Sequence, residues 1–171
     1  MEEIKKAIRT IPDFPKKGIL FYDITTLLKD GRKFKSAIDR LSSKFLNKKI
    51  DAVISIESRG FIIGSAIAYR LGAGIVPVRK KGKLPYKTYK ATYKLEYGED
   101  ALEIHQDAIK PNSNVLIVDD LLATGGTVSA VIELIKKLKG RIVGIVFLIE
   151  LSFLKGKEKL KGFDYFSLIQ Y

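Results

Sequence analysis

The chain of 171 residues is 46% hydrophobic and carries 31 Lys and Arg against 19 Asp and Glu, a formal charge of +12. That length supports one substantial core rather than two, and a basic excess of this size favours phosphate-bearing partners without choosing among nucleic acid, lipid and metabolite. With no cysteine and with His105 as the single histidine, disulfides, thiolate metal centres and cysteine nucleophiles are excluded, and any metal is expected to be a hard ion held by oxygen.

The opening MEEIKKAIRTIPDF has no apolar run of signal-peptide length, and no later stretch approaches the roughly 18 apolar residues that span a bilayer, so no membrane segment and a cytoplasmic location are expected. Ile4, Ala7, Ile8 and Ile11 recur at helical spacing until Pro12 and Pro15 stop the pattern, which predicts a short first helix. Residues 12–30 mix prolines, Gly18 and the apolar Ile19, Leu20 and Phe21, the pattern of an ordered loop packed on the body. Phe34, Ala37, Ile38, Leu41 and Phe45 then share one helical face.

From residue 51 the rhythm changes. Apolar runs at 51–56, 74–78, 114–120 and 141–150 read as strands, and 61–71 and 127–138 as helices between them. This alternation predicts βαβ units, hence an α/β domain whose mainly parallel central sheet is flanked by helices. Ligands of such sheets bind beyond the carboxyl ends of the strands. Residues 79–97, RKKGKLPYKTYKATYKLEY, interrupt the alternation with seven basic residues, four tyrosines and no acid until Glu96. Their first half is too polar and too broken by Gly and Pro for core, while ATYKLEY reads as a strand to which ALEIH, 101–105, returns antiparallel.

Two segments carry chemistry. VLIVDDLLATGGT, residues 115–127, brings an apolar strand to Asp119 and Asp120, then through small residues into a helix. Ala123, Thr124, Gly125, Gly126 and Thr127 offer unobstructed backbone N–H groups at the positive end of that helix, a phosphate cradle, and the two threonines add hydroxyls. The aspartates repel phosphate but accept hydrogen bonds from sugar hydroxyls, so a phosphorylated sugar is the expected ligand. The same helix ends in KKLKG, which places Gly140 at its C-terminal cap. In VISIESRGFIIG, residues 53–64, a strand ends in Glu57, Ser58, Arg59 and Gly60 immediately before another helix.

The 115–127 run resembles the phosphoribosyl-pyrophosphate signature of the type I phosphoribosyltransferases, and LLATGGT resembles their adenine-specific branch; no Lys follows the glycines, unlike a Walker A loop. The resemblance extends over nearly the whole chain. It implies a Rossmann-like type I phosphoribosyltransferase fold in which 1–171 is a single domain, with 1–30 a hood over the base and 79–105 a lid arm. The implied reaction joins adenine to 5-phosphoribosyl 1-pyrophosphate, giving AMP and pyrophosphate. By the same resemblance Ser58, Arg59, Gly60, Arg79, Lys80 and Lys83 meet the pyrophosphate. Glu96, in LEYG, is the acid or base at the purine, and Tyr97 helps close the lid. Leu20, Tyr22 and Leu121 serve the base, although Tyr22 stands where an arginine is common. Mg2+ is expected to be carried by substrate and waters without direct protein ligands, the partners to be small molecules rather than nucleic acid, and the assembly a homodimer. Two other readings keep the phosphoribosyl site: an oxopurine-specific transferase, and a regulatory phosphoribosyl-pyrophosphate sensor. LSFLKGKEKL and FSLIQY resemble the closing segments of the family, while Glu150 reads as a surface residue and His105 as a strand-end residue without a role.

Overall fold

The computed structural model describes residues 2–94 and 99–171, which fall into two compact units, one ending at Arg40 and one comprising Leu41–Tyr171. In the smaller unit, helix α1, Glu2–Lys6, is followed by strand β1, Arg9–Ile11, which pairs antiparallel with β2, Phe21–Asp23. Helical spacing through Ile11 therefore misleads. Thr10 and Ile11 are β-branched and find strand partners in Tyr22 and Phe21, and Pro12 disfavours a helical residue before it. The loop expected over 12–30 likewise contains β2 and a short helix α2, Thr25–Leu28. Asp23 joins these pieces, accepting from the Thr25 N–H at 2.9 Å and from Arg9 Nε at 3.0 Å. Bonds from Thr25 and Arg9 lower its carboxyl to about 2. The next helix, α3, Gly31–Ser43, ends two residues before Phe45.

The larger unit is a seven-stranded sheet. Its strands are β3, Ala52–Ile56; β4, Gly74–Lys80; β5, Thr88–Lys94; β6, Glu99–His105; β7, Asn114–Leu122; β8, Arg141–Glu150; and β9, Tyr165–Gln170. Their order is β5-β6-β4-β3-β7-β8-β9. From β4 to β9 all neighbours are parallel, and β6 returns antiparallel between β4 and β5, as the arm sequence leads one to expect. Helices α4, Arg59–Leu71, and α5, Gly126–Lys137, provide the crossovers. Side chains alternate across the sheet: Ile54, Ile56 and Ile117 share a core with Val131, Leu134 and Ile135 of α5. Ser55, on the other face and fully buried, meets α4 instead. Its hydroxyl donates to the Gly60 carbonyl at 2.8 Å, and a Cβ at Gly64 would lie 2.7 Å from the Ser55 Cβ.

Two residue expectations are corrected. The left-handed residue after α5 is Lys139, not Gly140. Gly140 is required by packing, since a Cβ there would come within 2.7 Å of Ile109 and 2.9 Å of Ile135. Glu150 is buried, 2% exposed, because β9 closes over the end of β8, and Gln170 Nε2 donates to its carboxylate at 3.5 Å.

Candidate functional site

A cleft of about 280 Å3 opens in the larger unit where β3, β4 and β7 end. The three strand exits supply its polar wall: Glu57, Ser58 and Arg59 after β3, Lys80 on β4, and Asp119 and Asp120 on β7. Leu121, the turn from Ala123 to Thr127, Phe147, Leu102 and Tyr93 line the cleft as well.

Both aspartates are buried, 8% and 6% exposed. The Asp120 N–H donates to Asp119 Oδ1 at 2.9 Å, and Arg59 Nη2 approaches Asp120 Oδ2 to 2.7 Å. The guanidinium thus pairs with Asp120, and Asp119 is tied to the same group through the Asp120 main chain. Burial, reinforced by the neighbouring Asp120, pushes Asp119 well above the usual carboxylate range. Burial also raises Asp120, against the pull of Arg59. Gly60 permits this closeness: a Cβ there would sit 2.8 Å from Asp119 Oδ1, so its missing side chain admits α4 to the end of β7.

Gly125 precedes α5 with φ +77°, a conformation that favours glycine. Its carbonyl accepts from the Ser129 N–H at 3.1 Å and the Ser129 hydroxyl at 2.7 Å. This fixes the first turn of α5. The turn is backed by the segment Gly156–Leu160: a Cβ on Gly125 would lie 2.7 Å from the Gly156 carbonyl, and one on Gly156 would run into the Ala123 carbonyl. No local pattern in KGKEKL announces that contact.

The basic residues are drawn together by a carboxylate that the sequence reading left without a role. Glu57 accepts from Lys83 Nζ at 2.7 Å, from the Lys80 N–H at 2.9 Å and from Arg79 Nε at 3.1 Å. The Lys80 ammonium pairs instead with Asp100 at 3.0 Å, and the Tyr93 hydroxyl donates to the same carboxylate at 3.3 Å. Tyr93, a half-buried tyrosine of the arm, lines the same cleft as Thr127 at the start of α5. Burial, then the Asp100 charge, raises the Tyr93 phenol. Tyr93 and Asp100 had no local signal beyond a tyrosine-rich arm.

Ser58, Arg59, Lys80, Asp119, Asp120, Leu121 and residues 123–127 therefore line one cleft, with Gly60 packed behind Asp119 and with Arg79 and Lys83 joined to them through Glu57. Leu20, exposed, and Tyr22, buried, belong to the smaller unit. Glu96 and Tyr97 lie outside the described residues. Among the described residues, no three His, Cys, Asp or Glu side chains are grouped so as to hold a metal ion.

The phosphoribosyl transferase domain family matches residues 25–168. The adenine phosphoribosyltransferase of Acidobacterium capsulatum is 57% identical over 170 residues, covering 99% of this chain and 94% of its own. The crystal structure of adenine phosphoribosyltransferase from Thermoanaerobacter pseudethanolicus superposes with a TM-score of 0.96 at 54% identity, covering 99% of each chain. The Saccharomyces cerevisiae adenine phosphoribosyltransferase, solved with an imino-altritol bisphosphate and adenine, gives a TM-score of 0.92 at 44% identity, covering 98% of this chain and 97% of its own.

Proposed function

Because this chain belongs to the phosphoribosyl transferase domain family, and within it to the adenine phosphoribosyltransferases, we infer that it transfers the 5-phosphoribosyl group of phosphoribosyl pyrophosphate to adenine, yielding AMP and pyrophosphate in purine salvage. The observation that carries this reading is one cleft in which two buried carboxylates at the end of β7 lead directly into the N–H-rich start of α5.

The 5′-phosphate suits the main-chain N–H groups of Ala123, Thr124, Gly125, Gly126 and Thr127, assisted by the threonine hydroxyls and the positive end of α5. Asp119 and Asp120 suit the ribose hydroxyls, which donate to carboxylate oxygens. Arg59, the amides of Ser58 and Gly60, and the side chains of Arg79, Lys80 and Lys83 suit the pyrophosphate. When the C1–O bond breaks, its electron pair leaves with pyrophosphate and positive charge develops on the sugar. Fixed cations on the leaving side lower that barrier because they need no rearrangement. Adenine N9 bonds to C1 and gives up its proton, a task assigned to Glu96, which contributes roughly 10²- to 10⁴-fold. Leu20, Tyr22 and Leu121 are assigned to the base and Tyr97 to the lid, within a single functional domain, 1–171, whose hood is 1–30 and whose arm is 79–105.

The oxygen donors that line the cleft, Asp119, Asp120 and the threonine hydroxyls, fit a hard hydrated ion better than a soft one. Mg2+, which we assign to substrate and waters, would supply charge neutralisation at the pyrophosphate. Partners are thus small molecules rather than nucleic acid. Exposed Ile62 and Tyr69, two turns apart on α4, and Ile75 on β4 form apolar surface of the kind a homodimer covers. No helix among the described residues is long and apolar enough to cross a membrane, and we place the enzyme in the cytoplasm.

The test is a stopped assay for AMP and pyrophosphate with adenine, hypoxanthine, guanine and xanthine in parallel. Adenine is expected to turn over fastest; faster turnover of any oxopurine would defeat the assignment of the base.

A further inference from the structure

The exit of β3 holds a carboxylate that the reaction as derived does not use. The Glu57 side chain is only 6% exposed, although it lies between the exits of β3 and β4. Oε2 accepts from the Lys80 N–H at 2.9 Å and from Arg79 Nε at 3.1 Å, while Oε1 accepts from Lys83 Nζ at 2.7 Å. Arg79 Nη1 in turn donates to the Lys83 carbonyl at 3.3 Å, which closes a ring of contacts over 79–83. Burial opposes ionisation of this group, yet the bonds from Lys83, Lys80 and Arg79 prevail, and its carboxyl titrates below the usual range. Glu57 is therefore an anion at working pH.

A bare carboxylate beside a pyrophosphate site would repel the ligand. This one is covered by two side-chain cations and an amide, so the cluster as a whole stays positive. Arginine and lysine side chains are long and rich in rotamers, and freedom lost before binding is not lost during it. The geometry points to Glu57 as a positioning residue of the transferase: it gathers Arg79, Lys83 and the main chain of Lys80 at the strand exits, so that the leaving pyrophosphate meets cations already in place. This inference rests on the assignment of Arg79, Lys80 and Lys83 to pyrophosphate made above.

The test compares Glu57→Gln, Glu57→Asp, Arg79→Ala, Lys83→Ala and the double variant Glu57→Gln with Arg79→Ala. It reads kcat, the KM of each substrate, product inhibition by pyrophosphate, and thermal melting. Glu57→Gln should raise the KM for phosphoribosyl pyrophosphate and the inhibition constant of pyrophosphate by about tenfold or more, leaving the adenine KM within about twofold and the melt cooperative. Glu57→Asp, which keeps the charge on a shorter stem, should recover part of the loss. The double variant should lose less than the sum of the two single losses, because residues acting through one another are not additive. Should Glu57→Gln fail to melt cooperatively, the same KM comparison on Glu57→Asp decides. Tighter pyrophosphate binding in Glu57→Gln, additive effects, or a silent Glu57→Gln beside a damaging Arg79→Ala would each overturn the positioning role while leaving the cation assignment standing. If Arg79→Ala and Lys83→Ala both leave pyrophosphate inhibition unchanged, the cation assignment itself fails and the role of Glu57 falls with it.

Discussion

Asp119 and Asp23 show how the same side chain acquires opposite pH behaviour. The unfolded carboxyl titrates near about 3.9. Asp119 is pushed well above that by burial and by Asp120, so the folded chain holds its proton more tightly than the unfolded chain does. Its contribution is thus complete below about pH 4 and declines as pH rises toward the folded value. Asp119→Asn keeps an acceptor for the Asp120 N–H and removes the charge. It should melt higher than the parent by roughly 1 kcal/mol, about 2–4 °C, with an advantage that widens from pH 5 to pH 8. AMP formation should fall about 10- to 100-fold, the scale of a lost charged hydrogen bond to the sugar. A variant that melts lower than the parent at pH 8 would contradict this electrostatic account. Asp23, lowered to about 2 by Thr25 and Arg9, behaves oppositely. Its contribution is present above about pH 4 and is lost as pH falls toward 2. Asp23→Asn should therefore destabilise at neutral pH and lose its effect in acid, which melts across that range would detect.

At the level of elements, the cradle depends on a neighbour distant in sequence. Gly156 stands against Ala123 and Gly125, and its burial leaves no room for a methyl group. Gly156→Ala should cost about 1–3 kcal/mol by overpacking and raise the KM for phosphoribosyl pyrophosphate more than that for adenine, since it presses on the phosphate turn. Equal changes in both KM values would refute a local effect. This contact also marks what a sequence can disclose. β3, β7 and β8 were legible because central parallel strands are apolar on both faces, and the Asp119–Thr127 run was legible because strand, acids and helix start are contiguous. β1 was not, because three residues following a helix acquire strand character only through their pairing with β2. Glu57 lies 23 residues from the amide it binds, and Gly156 more than 30 from its turn, so neither role leaves a trace in a local window. A glycine after a helix suggests a cap, while at Gly140 the side chains of Ile109 and Ile135 require it.

For the molecule as a whole, the charge of +12 bears on its substrates unequally. Phosphoribosyl pyrophosphate is a polyanion and adenine is neutral, so added salt should raise the KM of the former and barely change that of the latter. Equal salt dependence would show that the basic excess does not act on binding. The proposed homodimer predicts that Ile62→Glu together with Tyr69→Glu shifts the mass measured by light scattering toward a monomer; an unchanged mass would place the interface elsewhere. Among the described residues the sheet also ends at β5, where exposed Lys90 and Thr92 alternate with buried Ala91 and the Lys90 carbonyl accepts from Lys137 Nζ at 2.8 Å. Unpaired amides and carbonyls along such a margin invite another molecule to extend the sheet, and a lysine there discourages it. Lys90→Ile combined with Thr92→Val should thus leave the fold intact yet turn concentrated solutions turbid on standing, because the flank that now keeps neighbouring molecules apart would begin to recruit them.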